Sequence, residues 1–230
     1  MPPATMPFAA TRRGATTRVA ALALLAVCYH PLALGAAEVE TLWKEIAALD
    51  AGPGQPPPDT SAARQHFFQH ILKQEEACRK FLVALGEPSK DPRLFEARLR
   101  LARALALHGE LGEGADSANA LAAAERLFEF LLANGNQDQR AEVNFSRITQ
   151  WMRRNRLPDR SQRAPFLEAL KEFVREFPTD RRIPTLFVEA ASVFDRDPDA
   201  KKFLLNEALR LNKDPRLEAR IADDQKRLSL

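Results

Sequence analysis

The chain is poor in the residues that build sheets, staples and metal cages. Among 230 residues there are only 2 cysteines, 9 glycines and 1 tyrosine. Two cysteines exclude a disulfide-rich scaffold and any four-cysteine zinc site. The scarcity of tyrosine and of β-branched residues disfavours a β-sandwich or barrel. One apolar run stands out, from Val19 to Cys28. It is too short to span a bilayer, which takes ~20 apolar residues. The sequence carries no Gly-rich phosphate loop, no Gly-x-Ser-x-Gly elbow and no His-Glu-x-x-His helix. Ala, Leu, Arg and Glu dominate instead, and these are helix formers. With 45% hydrophobic and 28% charged residues, a packed core is expected and global disorder is not.

The first segment reads as an export signal. Residues 1–18 carry Arg12, Arg13 and Arg18 and no acid; the apolar run follows, then small residues at Gly35-Ala36-Ala37. A positive start, a short apolar centre and small residues at the end make a secretory signal peptide over 1–37, cleaved after Ala37 or one or two residues earlier. This segment holds three of the 34 basic residues and none of the 31 acidic ones, so the mature chain is neutral. A nucleic-acid binder keeps a basic excess to displace counterions from phosphates. The mature chain has only the local cluster Arg153-Arg154-Asn155-Arg156, placed where basic side chains suit a helix C-terminus. The partners expected are therefore a protein, with no nucleic acid and no stable transmembrane segment after cleavage.

Apolar residues recur at helical steps. Val39, Leu42, Trp43, Ile46 and Leu49 make one stripe over 38–50, which reads as an N-terminal helical arm. A Pro/Gly-rich linker over 51–60 follows, so the arm is expected to be loosely attached. A helical domain over 61–230 comes next. Phe67, Ile71, Cys78, Phe81, Leu82 and Leu85 lie along its first stripe, and Gly86 suits the position after a helix end. Asp91-Pro92 is expected to open the next helix, with Leu94, Ala97, Leu101 and Leu105 inward. Gly109, Gly112 and Gly114 mark a loop. Further stripes run through Leu121–Leu131, Val143–Met152, Phe166–Phe177, Ile183–Phe194 and Leu204–Leu211. Asp197-Pro198 and Asp214-Pro215 open the last two helices. No stretch alternates with period 2, so the fold class is all-α.

Internal similarity adds to this. Asp91-Pro92-Arg93-Leu94-Phe95-Glu96-Ala97-Arg98 echoes Asp214-Pro215-Arg216-Leu217-Glu218-Ala219-Arg220, apart from one inserted Phe. Asp180 and Asp214 stand 34 residues apart, the period of a tetratricopeptide helix pair. Over about residues 61–228 the chain resembles a degenerate tetratricopeptide-like array. That resemblance implies antiparallel helix pairs stacked on one another; an irregular helical bundle is the alternative. The 38–50 helix, the Pro-rich linker and the run Phe81–Arg103 also resemble the helical N-terminal region of exported bacterial thioredoxin-like (redoxin) proteins. No Cys-x-x-Cys pair is present to carry redoxin chemistry. This second resemblance implies a partner or an ancestry, not an activity.

Candidate chemistry is sparse. His66 and His70 stand at i and i+4, half of a metal site at most, flanking the Phe67/Ile71 stripe. Cys78 is the one thiol left after cleavage and falls on an apolar stripe, where it acts as a small hydrophobe. Glu75-Glu76 and Asp223-Asp224 are adjacent pairs, about 100° apart around a helix, and read as solvated faces. Trp43 is expected to dock on the helical body or on a partner. The reading is a non-catalytic exported scaffold that binds a protein, with no catalytic residue, cofactor or metal assigned; the alternative is an accessory helical region for an envelope thiol–disulfide system. Amino-terminal sequencing of the exported protein should begin near residue 38; a start near Met1 overturns the signal assignment.

Overall fold

A computed structural model describes residues 35–86, 88–155 and 160–228. The Arg12–Cys28 part of the expected signal lies outside the described residues. Nine helices occur among those described: α1 (Ala36–Leu49), α2 (Thr60–Leu85), α3 (Leu94–Leu111), α4 (Gly114–Asn134), α5 (Gln137–Arg154), α6 (Arg160–Glu176), α7 (Ile183–Val193), α8 (Pro198–Leu211) and α9 (Pro215–Leu228). No strand occurs among the described residues, so the chain is all-α as its periodicity indicates. No helix among them is long and apolar enough to cross a membrane.

The described residues fall into two compact units, 35–143 and 144–228, divided within α5. In the first unit α1 packs on α2, α2 on α3 and α3 on α4. The α1 stripe is seated rather than loose: Ile46 is 2% exposed, and Trp43 and Leu49 pack against the same core. A helix with one apolar stripe gains by covering it, and α2 and α3 offer the matching surface.

α3 is buried on more than its expected stripe. Leu99, Ala102 and Ala106 are covered as fully as Ala97 and Leu105, because α3 lies between α2 and α4. Its alanines permit close approach, and Gly109 permits more. A Cβ added at Gly109 would stand 2.3 Å from Leu121 Cγ. Gly109 is therefore a packing residue inside α3, not the loop marker expected; only Gly112 and Glu113 separate α3 from α4.

In the second unit α7 packs on α8 and α8 on α9. Aromatic rings fill the core here. Trp151 stacks on Phe166 at 4.0 Å between centroids, and Phe166 on Phe194 at 5.8 Å. Such pairs contribute about 0.5–1.5 kcal/mol each beyond the area they bury. The last helix is anchored by Ile221, which is 0% exposed. Gln225 Nε2 also donates to Asn206 Oδ1 at 2.9 Å.

Helix ends follow the chemistry of their caps. Asp59 accepts from the Ala62 N–H at 2.7 Å, and Asp197 from Ala200 at 3.1 Å with Pro198 in the first turn. Gly86 ends α2 at φ +65°, a conformation that strains residues bearing a Cβ. Asn136 and Gln139 exchange side-chain bonds with each other's N–H at 2.9 Å, a reciprocal cap before α5.

Asp91 behaves differently from the expected cap. α3 begins at Leu94, and Asp91 Oδ1 accepts from the Arg93 N–H at 2.8 Å, two residues on. The Arg93 guanidinium then folds back onto the same carboxylate. Asp180 and Arg182 repeat this turn before α7, with an N–H bond of 2.9 Å and a guanidinium contact of 2.6 Å. Asp214 accepts from the Arg216 N–H at 2.9 Å before α9. Asp-x-Arg, rather than Asp-Pro, is the element these three helix starts share.

The Arg182 guanidinium holds the Asp180 carboxyl below its ordinary value, against the opposing effect of burial. A depressed carboxylate contributes stability that is present above its unfolded-state value and lost as pH falls through the folded one. Asp180→Ala should therefore lower unfolding stability by about 1–2 kcal/mol at neutral pH. The gap between variant and wild type should narrow only below about pH 4. Denaturant titrations at neutral and acid pH measure both.

Candidate functional site

Of the residues weighed in the sequence for chemistry, Cys78 alone lines a cleft of about 340 Å³ in the first unit. Three helices supply it. The end of α1 gives Ile46, Leu49 and Asp50; α2 gives Gln74 and Cys78; α3 gives Glu96, Arg100 and Arg103. α2 and α3 bring their residues together because each places a polar residue beside its buried stripe. Gln74 Nε2 donates to the Leu49 carbonyl at 3.2 Å, which also accepts from the Gly52 N–H at the end of α1.

Arg100 organises the electrostatics. Its Nη1 lies 2.6 Å from Asp50 Oδ2, its Nε donates to Glu96 Oε1 at 2.8 Å, and its guanidinium stands 5.0 Å from the Trp43 ring. Arg93, seven residues earlier and just ahead of α3, covers Trp43 at 5.6 Å and Phe81 at 5.4 Å. It also pairs with Glu40 at 2.8 Å. Trp43 meets Phe81 at 5.2 Å. Trp43 is thus held by an aromatic ring and two guanidinium planes, and it docks on its own unit.

Cys78 lines the cleft but is 1% exposed. Burial pushes its thiol up to about 12; Arg100 works in the opposite direction, and Asp50, Glu96 and Glu75 add to the rise. A thiol so placed supplies almost no thiolate at neutral pH.

The histidines do not join it. His70 is 8% exposed on α2, and His66 is half-buried one turn before it with its Nδ1 shielded from solvent. No group of three or more His, Cys, Asp or Glu side chains able to hold a metal ion occurs among the described residues.

Of the acid pairs, Glu76 is solvated as expected, in an exposed pair with Lys80. Glu75 is not: its side chain is 14% exposed and ties α2 to α3 through His108 Nδ1 at 2.9 Å. Arg79 holds its other face at 2.9 Å. Asp223 is exposed and Asp224 half-exposed.

Sequence reading missed Arg93, Arg98, Arg100 and Arg103, which do not merely project outward. Arg98 lies 4.9 Å over Phe130, and Arg103 reaches Glu142 at 3.1 Å. The available signal was the i, i+7 placement of Arg93 and Arg100 on the Trp43 side of α3.

A larger and more open groove, about 680 Å³, belongs to the second unit. Thr149, Met152 and Arg153 of α5 face Glu189, Ser192 and Val193 of α7 across it. Met152 and Val193 are nearly covered, 7% and 8% exposed, and the polar residues form the margins.

Compared with family models, curated proteins and solved structures, the chain matches none. The sites are therefore described by their own chemistry. Native Cys78 should react with a thiol reagent roughly 100- to 1,000-fold more slowly than the unfolded chain at pH ~8. Stopped-flow labelling with and without denaturant measures the ratio, and equal rates would contradict the burial.

Proposed function

We propose that the protein is an exported, non-catalytic helical scaffold whose helix surfaces bind another protein in the cell envelope. The observation that carries this reading is the α5–α7 groove. An apolar floor of Met152 and Val193 within polar margins has the composition of a protein-binding patch, where desolvated apolar contacts lie inside a solvated rim. Methionine suits such a floor because its unbranched side chain adapts to different partners. Mature-chain neutrality favours contact of this kind over charge-driven binding.

The groups that carry chemistry elsewhere are engaged in structure. Glu75 and His108 tie two helices, Asp91 and Asp180 fix turns, and the Cys78 thiol is held protonated. Export rests on the charge and apolar pattern of residues 1–37. The tetratricopeptide-like arrangement accords with the packing of sequence-adjacent helices and with the shared Asp-x-Arg starts. An accessory role in a thiol–disulfide system would use the same surface, since the Cys78 thiol offers no exchange chemistry.

Affinity capture from the envelope with the mature chain tests this reading. Ser192 is exposed at the groove margin. Ser192→Arg should leave the fold intact and weaken the captured partner by about 10-fold or more, because a bulky charge at the margin blocks access to the apolar floor. A partner bound equally by both chains, or substrate turnover by the purified protein, would overturn the assignment.

A further inference from the structure

The seat of α1 carries an inference that does not depend on the partner-binding reading. α1 is held by a small, self-contained set of contacts: Trp43 on Phe81, Glu40 on Arg93 and Asp50 on Arg100. Of its residues only Val39 and Ile46 are fully covered. The segment joining it to α2 is mostly exposed, contains Pro56-Pro57-Pro58, and includes Gly52 and Gly54 at φ +89° and +77°. Its backbone bonds run back into the end of α1 or forward into the start of α2, as in Gly52 N–H to Leu49 O and Ala63 N–H to Asp59 O. Nothing in the linker itself fixes which molecule's groove α1 occupies.

We propose that this groove is an exchange site, in which α1 of a second copy of the chain seats on α2 and α3 and its own α1 seats in return. The occupant is specified by charge and shape. The groove presents Arg93 and Arg100 two turns apart beside the Phe81 ring and takes a helix with an aromatic side chain between two acids. α1 has that pattern at Glu40, Trp43 and Asp50. Exchange recreates every one of these contacts and changes only the linker, which is why swapping an element is a low-cost route to a dimer.

Linker length decides the balance. Gln74 grips the end of α1 at the Leu49 carbonyl. With ~1.5 Å of rise per residue, Thr60 lies about 21 Å back along α2 from Gln74, less whatever the Gln74 side chain spans toward it. The native segment spans this easily. A chain lacking residues 52–58 could stretch only about 14 Å from Leu49 to Thr60, at ~3.3–3.6 Å per residue. So short a tether strains α1 in its own groove, and we expect it to seat on a second copy instead. In the wild type, the tether gives α1 an effective concentration on the order of 1 mM, so exchange should become appreciable only as the protein approaches that range.

The experiment is light scattering on the mature chain with residues 52–58 deleted, paired with thiol labelling of Cys78. The expected result is a dimer under conditions where the wild type is a monomer, with Cys78 protected as in the wild type. Adding Trp43→Ala to the deletion should return the dimer to monomer and speed labelling. A deletion variant that stays monomeric, whether Cys78 labels fast or slowly, overturns the proposal. So does a dimer that survives Trp43→Ala. Differently tagged wild-type copies incubated at high concentration should also co-purify, and copies that never mix would count against exchange in the native chain.

Discussion

The guanidinium of Arg93 is the point at which three helices are tied. It is bound by Asp91 at 2.8 Å, reaches Glu40 on α1, and lies over Trp43 and Phe81. The order of these contacts matters. A guanidinium laid on aromatic faces keeps its N–H edge to be satisfied, by water or by an acid. Asp91 satisfies that edge, because its carboxylate pairs with Nε and Nη2 and leaves the flat face free for the rings. Asp91 is itself held in place by the Arg93 N–H, so one short turn fixes both partners. Lysine could not substitute, because an ammonium has no planar face and no fork to match a carboxylate. The second unit uses the same device: Asp180 binds Arg182, whose guanidinium stands 4.3 Å from the Phe145 ring.

Beyond this shared device the two units fill their interiors differently. The first relies on small residues. Ala97, Ala102 and Ala106 of α3 and Ala120 and Ala124 of α4 are almost fully covered, and Gly109 meets Leu121 at a separation no side chain could occupy. Helices that approach so closely gain dispersion contacts along their backbones, and they lose little side-chain entropy because alanine has none to lose. The second unit uses large rings, with Trp151, Phe166 and Phe194 in one stack. A stack of rings tolerates wider helix spacing but demands a particular orientation at each step.

Much of the fold was legible because a 3-and-4 spacing of apolar residues has no other stable use. The stripes through Trp43, Phe81, Phe166 and Ile183 all face cores, and Asp59, Gly86 and Asp197 end or begin helices as their chemistry requires. What was not legible depended on pairs distant in sequence. Gly109 looked like a loop because glycine signals backbone freedom locally, while its real constraint is Leu121 on another helix. Glu75 looked solvated because its role depends on His108. The roles of Arg93 and Arg100 were not legible because nothing local shows that Trp43 arrives there. The candidate cleft was only partly visible for the same reason: Cys78 and Trp43 were both noticed, but their common neighbour Arg100 was not.

Ionic strength should act unevenly on such a molecule. Several surface pairs join residues three or four apart on one helix, such as Lys171 with Glu168 and Arg210 with Glu207. Pairs of this kind are worth about 0.3–0.5 kcal/mol, and screening them loosens no helix from another. Glu75 with His108 is shielded on both sides, so salt reaches it poorly. The acids of α1 are different. Glu40 is 51% exposed and Asp50 48%, yet each makes a bond that joins one helix to another. Salt therefore weakens the attachment of α1 while leaving the α2–α3–α4 packing, which is apolar, nearly untouched. The charge balance of residues 38–230 conceals this asymmetry, because a balanced total says nothing about which pairs lie along a helix and which lie between helices.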